Sequence, residues 1–217
     1  MNNTSETIAT SLLNPSREFQ DPYRFWILDN VIPEDVVDDI CSLPWEAPDL
    51  HGISGTREIN NSSRRYFDQA SQQEFPACKS VCEAFQSKKI TQLIESQFST
   101  DLNNGYLRIE FAQDTNNFWL GPHTDIGVKL FTMLLYLSDD PGHETLGTDY
   151  YADKETHVGT APFARNRAMV FIPSDKTWHG FEKRTILGVR KSLIINFVTN
   201  EWRAREQLAF PETPVRS

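Results

Sequence analysis

The sequence predicts an α+β fold, helical in its N-terminal third and β-rich in the remaining two-thirds, with the sheets forming a jelly roll and the supporting N-terminal helices packed outside one of them. Two observations predict it. After Asn104 the chain passes through five short runs, GYLRIEFA, KLFTMLLYLS, TLGTDYYA, RAMVFIP and RKSLIINFVT, rich in β-branched and aromatic residues and separated by Gly, Pro, Asn and Asp clusters. Before it, Val81, Cys82, Phe85, Leu93, Ile94 and Phe98 fall largely at helical spacing.

The elements follow in order. Residues 1–20 are polar and are expected as a tail. Residues 21–217 are expected as a single domain, with the β core at about 105–200. A strand is expected over 24–29, and Pro33 opens a short helix running to about Leu43. The stretch from Trp45 to Gln69 is rich in Gly, Ser, Asn and Pro and too long for a plain connector. It is expected, around residues 46–70, to be a loop that closes over a site, carrying Arg57, Arg64 and Arg65. One long helix is expected from Ala77 to Phe98.

Bulk properties narrow the function. The chain has 217 residues, 39% hydrophobic and 24% charged, which suits a globular domain with a sizeable core. A net charge of −9 argues against nucleic acid as the main partner, because phosphate contacts need a basic face. No apolar run reaches the roughly 18–20 residues that span a bilayer, so no membrane partner is expected. The N-terminus has no basic-then-apolar signal pattern. Three cysteines do not make a disulfide framework, so a cytoplasmic setting is expected and Cys78 and Cys82 read as core residues.

The chemistry centres on GPHTDIGVKLFTMLLYLS, residues 121–138. In extended chain, His123 and Asp125 point to one face at the mouth of a buried strand. They are either a satisfied structural pair or two ligands of a metal. His179, flanked by Trp178 and Gly180, follows another predicted strand 54 residues after Asp125. Two imidazoles and one carboxylate make the facial triad of non-heme iron oxygenases. A zinc hydrolase would use similar ligands but gives no role to Arg190. Arg190 and Ser192 share one face of the following strand, and an inward arginine is costly unless it meets an anion. A dicarboxylate cosubstrate supplies one. His51, His143 and His157 lie in polar loop sequence and read as surface residues.

Together HTD, WHG and RKS resemble the iron(II)- and 2-oxoglutarate-dependent dioxygenase superfamily in its prolyl-hydroxylase-like branch. The resemblance covers about residues 105–200 and, more loosely, FWILDNVIPEDVVDDI. It implies a double-stranded β-helix in which His123, Asp125 and His179 bind Fe(II) and act as the catalytic centre. It implies that Arg190 holds the distal carboxylate of 2-oxoglutarate, with Ser192 beside it. Tyr136, in YLS, matches a tyrosine that hydrogen-bonds the same carboxylate. Where some relatives carry tyrosines before the metal motif, this chain has Glu110 and Phe111.

The implied reaction consumes O2 and 2-oxoglutarate and releases succinate and CO2. Related halogenases lack the carboxylate of the triad, so Asp125 points to hydroxylation. The expected substrate is a small molecule, an amino acid or biosynthetic intermediate, anionic if the arginines face inward. Arg64, Arg108, Trp119 and Trp178 are the candidate substrate contacts. A peptide prolyl hydroxylase and an inactive metal-binding jelly-roll sensor are the alternatives.

Overall fold

The computed structural model describes residues 3–47, 64–125 and 127–216. Its elements are α1 (Asn3–Leu13), β1 (Arg17–Phe19), β2 (Phe25–Asp29), α2 (Glu34–Cys41), β3 (Arg65–Tyr66), α3 (Gln69–Glu74), α4 (Pro76–Gln86), α5 (Lys88–Phe98), β4 (Tyr106–Asp114), β5 (Leu120–His123), β6 (Lys129–Tyr136), β7 (Asp149–Tyr151), β8 (His157–Thr160), β9 (Arg167–Phe171), β10 (Trp178–Phe181) and β11 (Arg190–Val198). Among the described residues these strands form a larger sheet, β1-β2-β9-β6-β11-β4-β3, and a smaller one, β5-β10-β7-β8. Every strand pairing among the described residues is antiparallel.

Alternation along β4, β6 and β11 builds the interior. Successive side chains of a strand point to opposite faces. Leu107, Ile109 and Phe111 of β4, Phe131, Met133 and Leu135 of β6, and Leu193, Ile195 and Phe197 of β11 all join the main apolar core. That core is completed by Ile8 and Leu12 of α1, Val37 and Ile40 of α2, Val81 and Phe85 of α4, and Ile90, Ile94 and Phe98 of α5. The helices therefore cover one face of the larger sheet. The intervening residues, among them Arg108, Glu110, Asp114, Thr132, Arg190, Ser192 and Asn196, are also buried, and they face the smaller sheet. A sheet with one apolar face and one polar, buried face is built to pack helices on one side and enclose a site on the other.

Several expectations change. Residues 3–13 are not a tail: they form α1, whose Ile8 and Leu12 are fully buried. The apolar stripe is only two or three residues wide on a polar helix, so composition hides it. The expected long helix is two. Ser87, with φ −64° and ψ 141°, leaves the helical region and its Oγ accepts from Ile90 N, ending α4 and capping α5. Strands β5, β8 and β10 are too short and too polar to stand out in sequence. His143 is buried rather than at the surface, because Ser138 Oγ and the Leu187 carbonyl engage its two ring nitrogens at 2.9 and 2.6 Å. The expected closing loop falls, over residues 48–63 and so including His51 and Arg57, outside the described residues, while 65–66 form an edge strand and Asp68 caps α3. No helix among the described residues is long and apolar enough to cross a membrane.

Because α1 closes the helix-side core, Leu12→Ala should lower unfolding free energy by about 2–4 kcal/mol. Urea denaturation measures it; a change below about 0.5 kcal/mol, typical of surface positions, would show that α1 is not part of the core.

Candidate metal centre

His123 ends β5 and His179 lies in β10, and the two residues are direct partners in the antiparallel ladder. Their rings sit 4.4 Å apart between centroids. Close strand approach makes this pairing. A Cβ on Gly180 would lie 2.7 Å from the Leu120 carbonyl oxygen, so any side chain there forces β5 away from β10. Asp125 follows just beyond β5, and its Oδ1 is 4.0 Å from His179 Nε2. One ligand atom from each of His123, Asp125 and His179 lies within 4.8 Å of the others.

Hydrogen bonds fix how these groups present themselves. His123 Nδ1 donates to the Gly121 carbonyl at 2.9 Å and His179 Nδ1 to the Thr177 carbonyl at 3.0 Å. A carbonyl can only accept, so each Nδ1 carries a proton, and in the neutral ring Nε2 is left with its lone pair. Asp125 accepts from Lys129 Nζ at 2.6 Å and from Thr132 Oγ1 at 2.8 Å. Burial would raise the Asp125 carboxyl, but the Lys129 ammonium, His179 and these hydrogen bonds outweigh it and hold the group well below the usual carboxylate range. Burial pushes His179 down to about 4 against the pull of Asp125. Two imidazoles with Nε2 turned from their carbonyl partners and an ionised carboxylate are the donor set that a divalent first-row metal takes. The residues therefore fit such an ion.

The centre opens onto a cavity of about 370 Å³ between the two sheets. Leu134, Ile194 and Phe181 give it apolar walls, and Arg190, Ser192 and Thr148 also line it. Arg190 is buried and lies over the rings of Phe181, Tyr136 and Phe163 at 4.7, 5.6 and 5.8 Å. The anion it meets is Asp114, its ladder partner on β4: Nη1 donates to Asp114 Oδ2 at 2.6 Å, and Nε donates to the Leu146 carbonyl at 2.7 Å. Burial of this arginine thus needs no ligand anion, contrary to the inference from sequence. The Tyr136 hydroxyl, expected to face a cosubstrate, instead donates to Thr148 Oγ1 at 3.0 Å and accepts from Thr148 N at 3.1 Å. Thr148, not Tyr136, is the cavity residue, and Tyr136 holds it in place.

Of the four candidate substrate contacts, Arg64 and Arg108 line the cavity, whereas Trp119 and Trp178 do not. Trp119 is 39% exposed, and Trp178 turns its backbone carbonyl to the Tyr23 hydroxyl. Arg65 is exposed. Glu110 lines the cavity between Arg64 and Arg108, while Phe111 points the other way into the helix-side core. Lys129, Thr132, Thr148, Asp114 and Trp202 escaped the sequence reading as site residues. The period of two that placed Thr132 with Tyr136 would have placed Asp114 with Arg108 and Glu110; nothing local marks Lys129, Thr148 or Trp202.

In sequence, no family model and no curated protein matches this chain. In structure it is similar to prolyl 4-hydroxylases from Phytophthora capsici, with TM-score 0.62 and 13% identity over 94% of this chain and 68% of that one. A prolyl-4-hydroxylase from Pseudomonas putida gives TM-score 0.57 and 15% identity over 89% and 94% of the two chains. HygX from Streptomyces hygroscopicus, with nickel and 2-oxoglutarate bound, gives 0.51 and 12% over 82% of each. The fold is the double-stranded β-helix. Its larger and smaller sheets are the two walls described above, and the candidate metal centre sits between them.

Two outcomes follow from this geometry. Gly180→Ala, by driving β5 from β10, should weaken metal binding by roughly ten- to a hundredfold, the scale seen when a ligand's support is removed; equilibrium titration with Co(II) reads it, and native affinity would contradict the role given to Gly180. The second concerns metal-free stability. Unfolded His179 takes its proton near its ordinary value of 6.5 and the folded residue near 4. Between these values the unfolded chain binds more protons, so stability is full above pH 6.5 and is lost as pH falls towards 4, by up to roughly 3 kcal/mol. Denaturant unfolding from pH 7 to 4 should show a steeper loss for the native chain than for His179→Gln; parallel curves would contradict a buried neutral imidazole.

Proposed function

We propose that this chain is an iron(II)- and 2-oxoglutarate-dependent oxygenase that hydroxylates an unactivated C–H bond of a small molecule, releasing succinate and CO2. The observation that carries the reading is one cavity with His123, Asp125 and His179 converging at one part of its lining and Arg190 at another. HygX supports the reading, since it shares the fold and has been crystallised with 2-oxoglutarate.

In this reading His123 Nε2, Asp125 and His179 Nε2 hold the iron. Arg190 takes the distal carboxylate of 2-oxoglutarate with the edge of its guanidinium not spent on Asp114 and Leu146. Thr148 joins it: its hydroxyl receives the Tyr136 proton, which leaves its own proton to donate into the cavity. Ser192 stands beside them. Iron with 2-oxoglutarate and O2 supplies an oxidant able to cleave an unactivated C–H bond. The chain's work is to orient and to exclude water. Leu134, Ile194 and Phe181 form a dry wall next to these groups. The three rings around Arg190 and its bond to Leu146 hold the guanidinium in one plane, so the cosubstrate meets a fixed fork.

The size of the cavity favours a free small molecule over a peptide. About 370 Å³ lies at the lower end of the range for small-molecule sites and must admit both cosubstrate and substrate. The setting of a freely diffusing metabolite enzyme fits the expectation of a cytoplasmic protein.

The test is succinate formation from 2-oxoglutarate by purified protein, with and without Fe(II) and O2. Slow succinate release that needs both is expected even before the substrate is found. His123→Ala, Asp125→Ala and His179→Ala should each abolish it. Arg190→Lys keeps the charge but loses the planar fork. It should raise the 2-oxoglutarate requirement by roughly ten- to a hundredfold, the equivalent of one charge-assisted hydrogen bond. Iron-loaded native protein that forms no succinate, or an unchanged requirement in Arg190→Lys, would contradict the assignment.

A further inference from the structure

Beside one wall of the cavity lies a group of buried donors that have nothing to donate to. Among the described residues, four buried polar side-chain atoms have no hydrogen-bond partner, and three of them are Arg64 Nη2, the Tyr66 hydroxyl and Trp202 Nε1. The fourth, on Gln86, belongs to α4. The three are linked through Arg108, whose guanidinium carbon lies 4.8 Å from the Tyr66 ring centroid and 4.9 Å from that of Trp202. Arg64, Arg108, Glu110 and Trp202 line the cavity.

Arg108 is a strut. It donates to Gln207 Oε1 at 2.9 Å, to Asn196 Oδ1 at 3.4 Å and to Glu110 Oε2 at 3.0 Å. Glu110 in turn holds Arg64 Nε at 3.4 Å. Arg64 is therefore positioned but only partly used. A guanidinium nitrogen and an indole nitrogen can only donate, so only an acceptor completes them, and leaving buried donors unmet is costly.

The charge balance points the same way. Arg190 is matched by Asp114, and Lys129 by Asp125. Here, among the described residues, the guanidinium groups of Arg64 and Arg108 both meet the Glu110 carboxylate, so the described charges of this wall favour an anionic ligand.

Position sets the size of the ligand. Arg108, Asn196 and Thr132 lie in one row of the ladder across β4, β11 and β6. Neighbouring strands are about 4.8 Å apart, so the wall stands roughly 10 Å from Thr132, which carries Asp125.

We propose that Arg64 and Trp202, braced by Arg108 and Glu110, form a subsite for a carboxylate of the primary substrate, which is a small carboxylic acid oxidised a few bonds from that group. The proposal rests on reading the cavity as the oxygenase site. It names the class of substrate that site takes.

The test reads the subsite directly. The five tryptophans give indole N–H signals in a proton–nitrogen correlation spectrum, and Trp202→Phe identifies the one at issue. Protein loaded with Zn(II) and saturating 2-oxoglutarate is titrated with straight-chain and α-amino monocarboxylic acids of about four to eight carbons, a span set by the strand spacing. Each is compared with its methyl ester, and phosphate monoesters of similar length form a third arm. Acids should shift the Trp202 signal saturably, with apparent Kd roughly tenfold or more below those of the esters, the scale of a charge-assisted hydrogen bond. Arg64→Gln should erase that preference and Arg64→Lys retain part of it. Acids and esters acting alike, no shift with any acid, or a preference for phosphate monoesters would overturn the proposal. The oxygenase reading fails separately: acid binding at Trp202 in a protein that forms no succinate with Fe(II) keeps the subsite and removes the reaction.

Discussion

Charge taken out of water has to be matched where it lands, and the interior of this β-helix is full of charge. Asp125 lies against Lys129, Arg190 against Asp114, and Glu110 between Arg64 and Arg108. These pairings fix what each part of the cavity can accept. At the candidate metal centre the Asp125 carboxylate is kept ionised and the buried His179 imidazole neutral, which suits a divalent cation. At Arg190 the counterion Asp114 and the Leu146 carbonyl take part of the fork, and the proposed cosubstrate carboxylate would take the rest. At Arg64, among the described residues, two guanidinium groups meet one carboxylate, and Arg64 Nη2 has no hydrogen-bond partner.

The framework that makes this affordable is the two-faced larger sheet. Its helix-side residues supply the apolar burial that stabilises the fold. Its other face is thereby free to carry polar and charged groups in register. The smaller sheet adds the histidines, and it can do so because Gly180 lets β10 approach the backbone of β5 closely. Helices, larger sheet and smaller sheet therefore divide the labour: burial, charge, and the two candidate histidine ligands.

Much of this is legible in the sequence, for physical reasons that can be named. Alternation in KLFTMLLYLS and RKSLIINFV reports two unlike faces, and it put Thr132, Leu134 and Tyr136 on one side and Arg190 with Ser192. The i, i+2 spacing of His123 and Asp125 brings two candidate ligands together without any knowledge of the fold. What stayed hidden depends on register between distant strands. Asp114 becomes the partner of Arg190 only because β4 and β11 pair with those two residues opposite each other. Trp202 lies beyond the last strand and reaches the wall only by the return of the chain over Arg108. Helix α1 was missed because a narrow apolar stripe on a polar helix looks like a tail in composition. His143 was missed because its burial is supported by hydrogen bonds that a polar loop sequence does not announce, to Ser138 Oγ across a turn and to the Leu187 carbonyl on a distant segment.

The central claim is that three side chains from β5, β10 and the turn after β5 make one iron site in a cavity that also holds the cosubstrate. Crystals grown without O2 from protein with Fe(II) and 2-oxoglutarate test it most directly, through anomalous scattering at the iron edge. The account predicts a single strong peak bonded to His123 Nε2, Asp125 and His179 Nε2 at about 2.0–2.2 Å, with 2-oxoglutarate extending from it to Arg190. A peak bound elsewhere, or 2-oxoglutarate bound away from Arg190, would contradict it.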